Sequence, residues 1–93
     1  MKSIYKYKLH PDIKSIIVPG GAEVLSAVAR DNEIVVYAIV DTNDKTVKEV
    51  DYLVFGTGHI LDESKLEGFK FLNTVVIADN GLIFHIFVED LRT

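Results

Sequence analysis

The sequence contains no cysteine. That absence excludes disulfide scaffolds, thiolate zinc sites, iron–sulfur clusters and cysteine nucleophiles, and it suits a reducing compartment. No apolar run approaches the roughly 18 residues that a membrane-spanning helix requires, so no membrane role is expected. The first eight residues mix lysines with aromatics and lack the apolar centre of a signal peptide, which points to a cytoplasmic location. Positive charge is also scarce. Ten Lys/Arg stand against 14 Asp/Glu, a net charge of −4. Extended nucleic acid needs a basic surface and is therefore not an expected partner. The cations are unevenly spread, however. Lys2, Lys6, Lys8 and Lys14 crowd the first 14 residues against Asp12 alone, and a short basic strip on an acidic body suits a small anion.

What is present is β-forming. The 93 residues are 48% hydrophobic and 26% charged, a globular composition sized for one domain spanning residues 1–93. A chain of this length buries only about 60–65% of its unfolded surface, so self-association would add much to its stability. Runs of β-branched and aromatic residues broken by turn residues predict about seven mainly antiparallel strands. They fall at residues 3–9, 14–18, 23–30, 33–40, 46–55, 69–78 and 82–89. The segment 23–30 also tolerates helix, but Val24, Val28 and the flanking turns favour strand. Turns are expected at His10-Pro11-Asp12, Pro19-Gly20-Gly21, Asp31-Asn32, 41–45, Gly56-Thr57-Gly58-His59 and Asp79-Asn80-Gly81. Asp62 is placed to cap one short helical turn over 63–67, which Gly68 stops. The predicted class is all-β, or β-rich α+β: a meander, sandwich- or barrel-like. Strands 34–40 and 82–88 are apolar on both faces, which predicts a homo-oligomer.

Gly56-Thr57-Gly58-His59 is the most suggestive constellation. Two glycines let backbone N–H groups converge, Thr57 adds a hydroxyl, and His59 adds a charge-assisted or stacking contact. Such a nest holds a phosphate or carboxylate. The plainer alternative is a strand-ending turn that needs positive φ. His85, set among Ile83, Phe84, Ile86 and Phe87, is either a ligand contact or a hydrogen-bonded core or interface residue. A metal site from His10, His59 and His85 is not expected, because no two share ligand spacing on one element. Lys6 and Lys8 alternate with Tyr5 and Tyr7. The lysines either neutralise a phosphate beside stacking tyrosines, or protect an edge strand whose tyrosines face the core. Asp41, Asp44, Glu49 and Asp51 read as solvated acids around a loop. No serine has a base partner in sequence and no catalytic motif is present, so neither an enzyme nor a cofactor is expected.

Three segments carry a resemblance: Ile4-Tyr5-Lys6-Tyr7, then 19–26 from Pro19-Gly20-Gly21 to Ser26, then 37–41 from Tyr37 to Asp41. With Gly56-Thr57-Gly58-His59 and Phe84-His85-Ile86-Phe87 in the same order, the chain resembles a family of short uncharacterised phage and prophage proteins. Ile60 and Tyr37 depart from that family, which often carries Pro after the histidine and Trp near Tyr37. The resemblance implies an accessory protein of viral or mobile-element origin that works by binding, in the host cytosol. The expected function is therefore an oligomeric, non-enzymatic sponge that sequesters a small anionic, nucleotide-like ligand such as a host-defence signal. Gly56, Thr57, Gly58 and His59 would cradle the anion, Lys6 or Lys8 would add charge, and His85 or Tyr37 would form the apolar wall. The alternative is a protein–protein interaction or structural module acting on a host or virion protein.

Overall fold

The computed structural model describes residues 1–10, 13–79 and 81–90. Seven strands run through it: β1 (Lys2–Leu9), β2 (Ser15–Pro19), β3 (Glu23–Arg30), β4 (Glu33–Asp41), β5 (Val47–Gly56), β6 (Phe69–Ile77) and β7 (Leu82–Glu89). The fold is all-β, as the residue patterning predicts. Among the described residues the helical content is one 3₁₀ turn, Glu63–Leu66. Asp62 caps it, its Oδ1 accepting from the Ser64 N–H at 3.1 Å. No helix is long and apolar enough to cross a membrane among the described residues.

Two antiparallel sheets result, one ordered β1-β4-β3 and the other β2-β5-β7-β6. The meander pattern holds locally, at the β3–β4 and β6–β7 hairpins. Elsewhere the chain crosses between sheets after β1, β2 and β4. The β3–β4 turn uses Asp31 and Asn32 at φ 51° and 62°, the left-handed pair that a tight hairpin needs. Asn80 of the second hairpin, and Pro11 and Asp12 of the first predicted turn, lie outside the described residues. Gly81 takes φ 67° there, and its N–H donates to the Ile77 carbonyl at 2.9 Å.

Alternation decides which side chains enter the space between the sheets. Val18, Val50 and Val88 of the four-stranded sheet pack with Ala38 and Val40 of the other. Leu9, Ala27 and Val36 meet Tyr52, Val75 and Ile86 in a second cluster. Ala38, Val40 and Ile86 are fully buried, and each large side chain so buried contributes about 1.5–3 kcal/mol. The register shifts between Val24 and Ser26 of β3, and between Phe71 and Asn73 of β6, are the kind of break at which a strand kinks. The seam is bridged where the Ala27 N–H donates to Asn73 Oδ1 at 3.1 Å. The sandwich thus approaches a closed barrel along one side.

The region that reads ambiguously between helix and strand, Glu23–Arg30, is β3. Val24, Ala27 and Ala29 of that strand pack on the core. Leu25 and Val28 stay exposed. On β1 the core side holds Tyr7 and Leu9 as expected. Tyr5 shares that side but remains 45% exposed, so it is not a core residue. Asp41 and Asp44 organise loops rather than solvate them. Asp44 accepts from the Thr46 hydroxyl, the Thr46 N–H and the Gly21 N–H. Those bonds hold its pKa below the ordinary carboxylate value, the Thr46 hydroxyl most of all.

Candidate functional site

β5 ends at Gly56 beside β7, which pairs Phe55 with His85 and Gly56 with Phe84. Residues 57–59 fold back over the sheet's outward face, with the Thr57 N–H on the Ile83 carbonyl at 3.2 Å and the His59 N–H on the Gly56 carbonyl at 3.2 Å. Gly58 makes this reversal possible at φ 89°. Gly56 is glycine for a different reason. A Cβ there would lie 2.8 Å from His59 Cε1, because the imidazole ring packs against the glycine itself. The Gly56 N–H donates to His59 Nδ1 at 3.2 Å, which requires that nitrogen to be unprotonated.

His85 projects from the same face. Its Nε2 is 2.8 Å from Thr57 Oγ1 and its Nδ1 is 2.9 Å from Thr74 Oγ1. Both ring nitrogens are therefore held, one as donor and one as acceptor in the neutral ring. His85 is hydrogen-bonded, as one of its two expected readings has it, but half-buried on an outward face rather than in the core. Around it, Phe87 meets Phe55 edge-on at 5.8 Å and Phe71 at 5.5 Å between ring centroids. Together with Leu61, these residues line a shallow pocket of about 240 Å³ that opens to solvent.

Gly56, Thr57, Gly58, His59 and His85 thus come together, as the residue types suggest. The anion nest they were expected to form is largely spent, however. The N–H groups of Gly56, Thr57 and His59 all have acceptors within the chain, and the Thr57 hydroxyl is on His85. The Gly58 N–H is the amide of this turn that remains for a ligand. Lys6, Lys8 and Tyr37 do not join the pocket lining. They lie on β1 and β4 of the other sheet, with Lys6 opposite Tyr37 in register, and Lys8 Nζ pairs with Glu33 at 2.7 Å. Their separation follows from the crossovers, which put β1 and β4 in a different layer from β5 and β7.

The aromatic floor was missed as a site feature, although a signal for it exists. Phe55, Phe87 and Phe71 fall on the outward parity of their strands, where polar residues are the usual choice. A second groove of about 310 Å³ lies between the sheets, bordered by Lys48, Lys70, Glu23 and Glu89 among others. Lys48 there donates to the Ala22 carbonyl at 3.0 Å, and mixed charge gives the groove no single ligand class. Among the described residues no three His, Cys, Asp or Glu side chains cluster as a metal site would.

No curated protein and no solved structure matches the chain. Residues 1–92 match the family described as "Domain of unknown function (DUF7352)", and the chain belongs to that family.

Proposed function

We propose that the protein is a small non-enzymatic binding protein of phage type, an oligomeric sponge that sequesters a nucleotide-like anionic ligand such as a host-defence signal. The observation that carries this reading is the convergence of the 56–59 turn and His85 over a floor of three packed phenylalanines. A planar base stacked on such a floor gains about 1–3 kcal/mol. The Gly58 N–H and the rims of His59 and Thr57 supply polar contacts for the anionic part. Thr57 and His85 form a hydroxyl–imidazole pair, but the far ring nitrogen meets neutral Thr74 rather than a carboxylate that would stabilise an imidazolium. That favours recognition over nucleophilic catalysis.

Thermal-shift and calorimetric titration against mononucleotides and cyclic dinucleotides tests the reading. One compound should stabilise the wild type, with the effect lost in His59→Ala and Phe87→Ser. Failure of every nucleotide to bind would refute it. The alternative, a protein–protein interaction module, is favoured by apolar side chains that extend this face outside the pocket: Ile17 is 58% and Val76 54% exposed.

A further inference from the structure

His85 lies at the centre of a hydroxyl–imidazole–hydroxyl chain. Thr57 Oγ1 is 2.8 Å from its Nε2 and Thr74 Oγ1 is 2.9 Å from its Nδ1. Neither hydroxyl has another hydrogen-bond partner among the described residues. A neutral ring brings one N–H to this chain, and the two hydroxyls bring one hydrogen each. The two links use two of those three hydrogens, so one hydroxyl keeps a hydrogen that points away from the ring. An imidazolium brings one more, and both hydroxyls then accept from the ring and donate outward. The chain therefore takes a second proton without losing either bond. His59 differs, because its Nδ1 accepts from the Gly56 N–H and a proton there would break that bond. Of the two hydroxyls only that of Thr57 belongs to the pocket lining. For its hydrogen to point into the pocket, the neutral His85 ring must carry its own hydrogen on Nε2, with Thr74 donating to Nδ1. The Thr57 hydroxyl then joins the Gly58 N–H as a donor, and no carboxylate lines the pocket among the described residues.

We infer that His85 is the positioning residue of this pocket: it makes the Thr57 hydroxyl a donor and takes up a proton when a phosphoryl-type anion binds there. The inference rests on the proposed reading of the pocket as an anion site. The groups around the ring supply no counter-charge of their own. β5 faces His85 with Phe55 and β6 faces it with Thr74, while Ile83 and Phe87 flank it on β7. Asp51 and Glu89 share the outward face but stand four residues further along β5 and β7, about 13 Å away. From the connection between β5 and β6, His59 is the other titratable group in the lining. Asp62 is committed to Ser64, and Glu63 and Lys65 follow in the exposed 3₁₀ turn. A bound anion would be the missing counter-charge, reaching the ring through the Thr57 hydroxyl. By linkage, such an anion binds more tightly as pH falls through the titration of His85.

Long-range ¹H–¹⁵N correlation of the imidazoles across a pH titration of the full chain tests this. Sulfate serves as the probe because it keeps its charge throughout, and chloride at equal ionic strength is the control. The titration midpoint of His85 should lie about half a pH unit or more higher in sulfate, equivalent to about threefold tighter binding by the imidazolium form. Above that midpoint, sulfate should settle the ring in its Nε2–H form. Thr57→Val, at an exposed position, should erase the difference between the salts, and Thr57→Ser should restore it, with circular dichroism confirming that both variants fold. Equal midpoints in the two salts overturn the inference, as does a sulfate effect that persists in Thr57→Val. A sulfate effect in a protein that binds no nucleotide supports the inference and refutes only the nucleotide sponge.

Discussion

Gly56→Ala separates the seat of His59 from the stability of the turn. The three atoms nearest a Cβ at position 56 all belong to the His59 ring, at 2.8 to 3.1 Å. The clash is relieved by moving one exposed side chain, and φ at Gly56 is not in the positive range. Ejecting the ring leaves the Gly56 N–H to water, a loss of about 0.5–1.5 kcal/mol. Restricting the unfolded chain returns about 0.4–1 kcal/mol. The net change should be under about 1 kcal/mol, a Tm shift of no more than about 4–8 °C. Gly58→Ala behaves oppositely. Its Cβ meets nothing within 4 Å, but φ stands at 89°, and that strain costs about 1–2 kcal/mol. Thermal denaturation measures both, and long-range ¹H–¹⁵N correlation of the imidazoles reads the ring. In wild type His59 should be held with Nδ1 unprotonated, and in Gly56→Ala that preference should vanish. A Gly56→Ala variant with an unchanged His59 tautomer, or one destabilised more than Gly58→Ala, would refute the reasoning.

Four further outcomes follow from the packing. Ile86→Ala, at a fully buried position, should lose about 2–5 kcal/mol in denaturant unfolding. Asn73→Ala should cost about 1–3 kcal/mol by stranding the Ala27 N–H, with the Ala27 amide exchanging faster than its neighbours. Asp44→Asn should flatten the acid limb of the stability curve. The folded pKa of Asp44 is lowered, so its contribution is complete above the ordinary carboxylate range and is lost as pH falls through the folded value. Tyr52 has the reverse sign. Burial raises its pKa, and its hydroxyl donates to the His10 and Ile13 carbonyls. Its stabilisation should therefore hold at neutral pH, fade as alkaline pH rises through the folded pKa, and be missing at every pH in Tyr52→Phe.

Strand positions, the Asp31-Asn32 hairpin and the Asp62 cap were legible because each is set by local chemistry: alternation, positive φ and side-chain capping. The inward Val50 and Tyr52 and the outward Glu49, Asp51 and Leu53 were likewise visible from period two, whereas Val54, on the inward parity, is 40% exposed. The pairing of β1 with β4 was not, since it brings Lys2 to Asp41 across 39 positions and depends on how the sheets divide. The same non-local step separated Lys6, Lys8 and Tyr37 from Gly56–His59, although both groups carry suggestive residues. The expenditure of the Gly56, Thr57 and His59 amides on internal acceptors also depends on geometry that a tetrapeptide sequence does not encode. Phe71 joins Phe55 and Phe87 only because β6 pairs with β7.

The most direct test of the binding account is a native mass spectrum of the protein purified from cells, recorded beside that of His59→Ala. The account predicts an oligomer carrying additional mass of nucleotide size in the wild type, absent from the variant. An oligomer or monomer of bare chains, identical in both proteins, would contradict it.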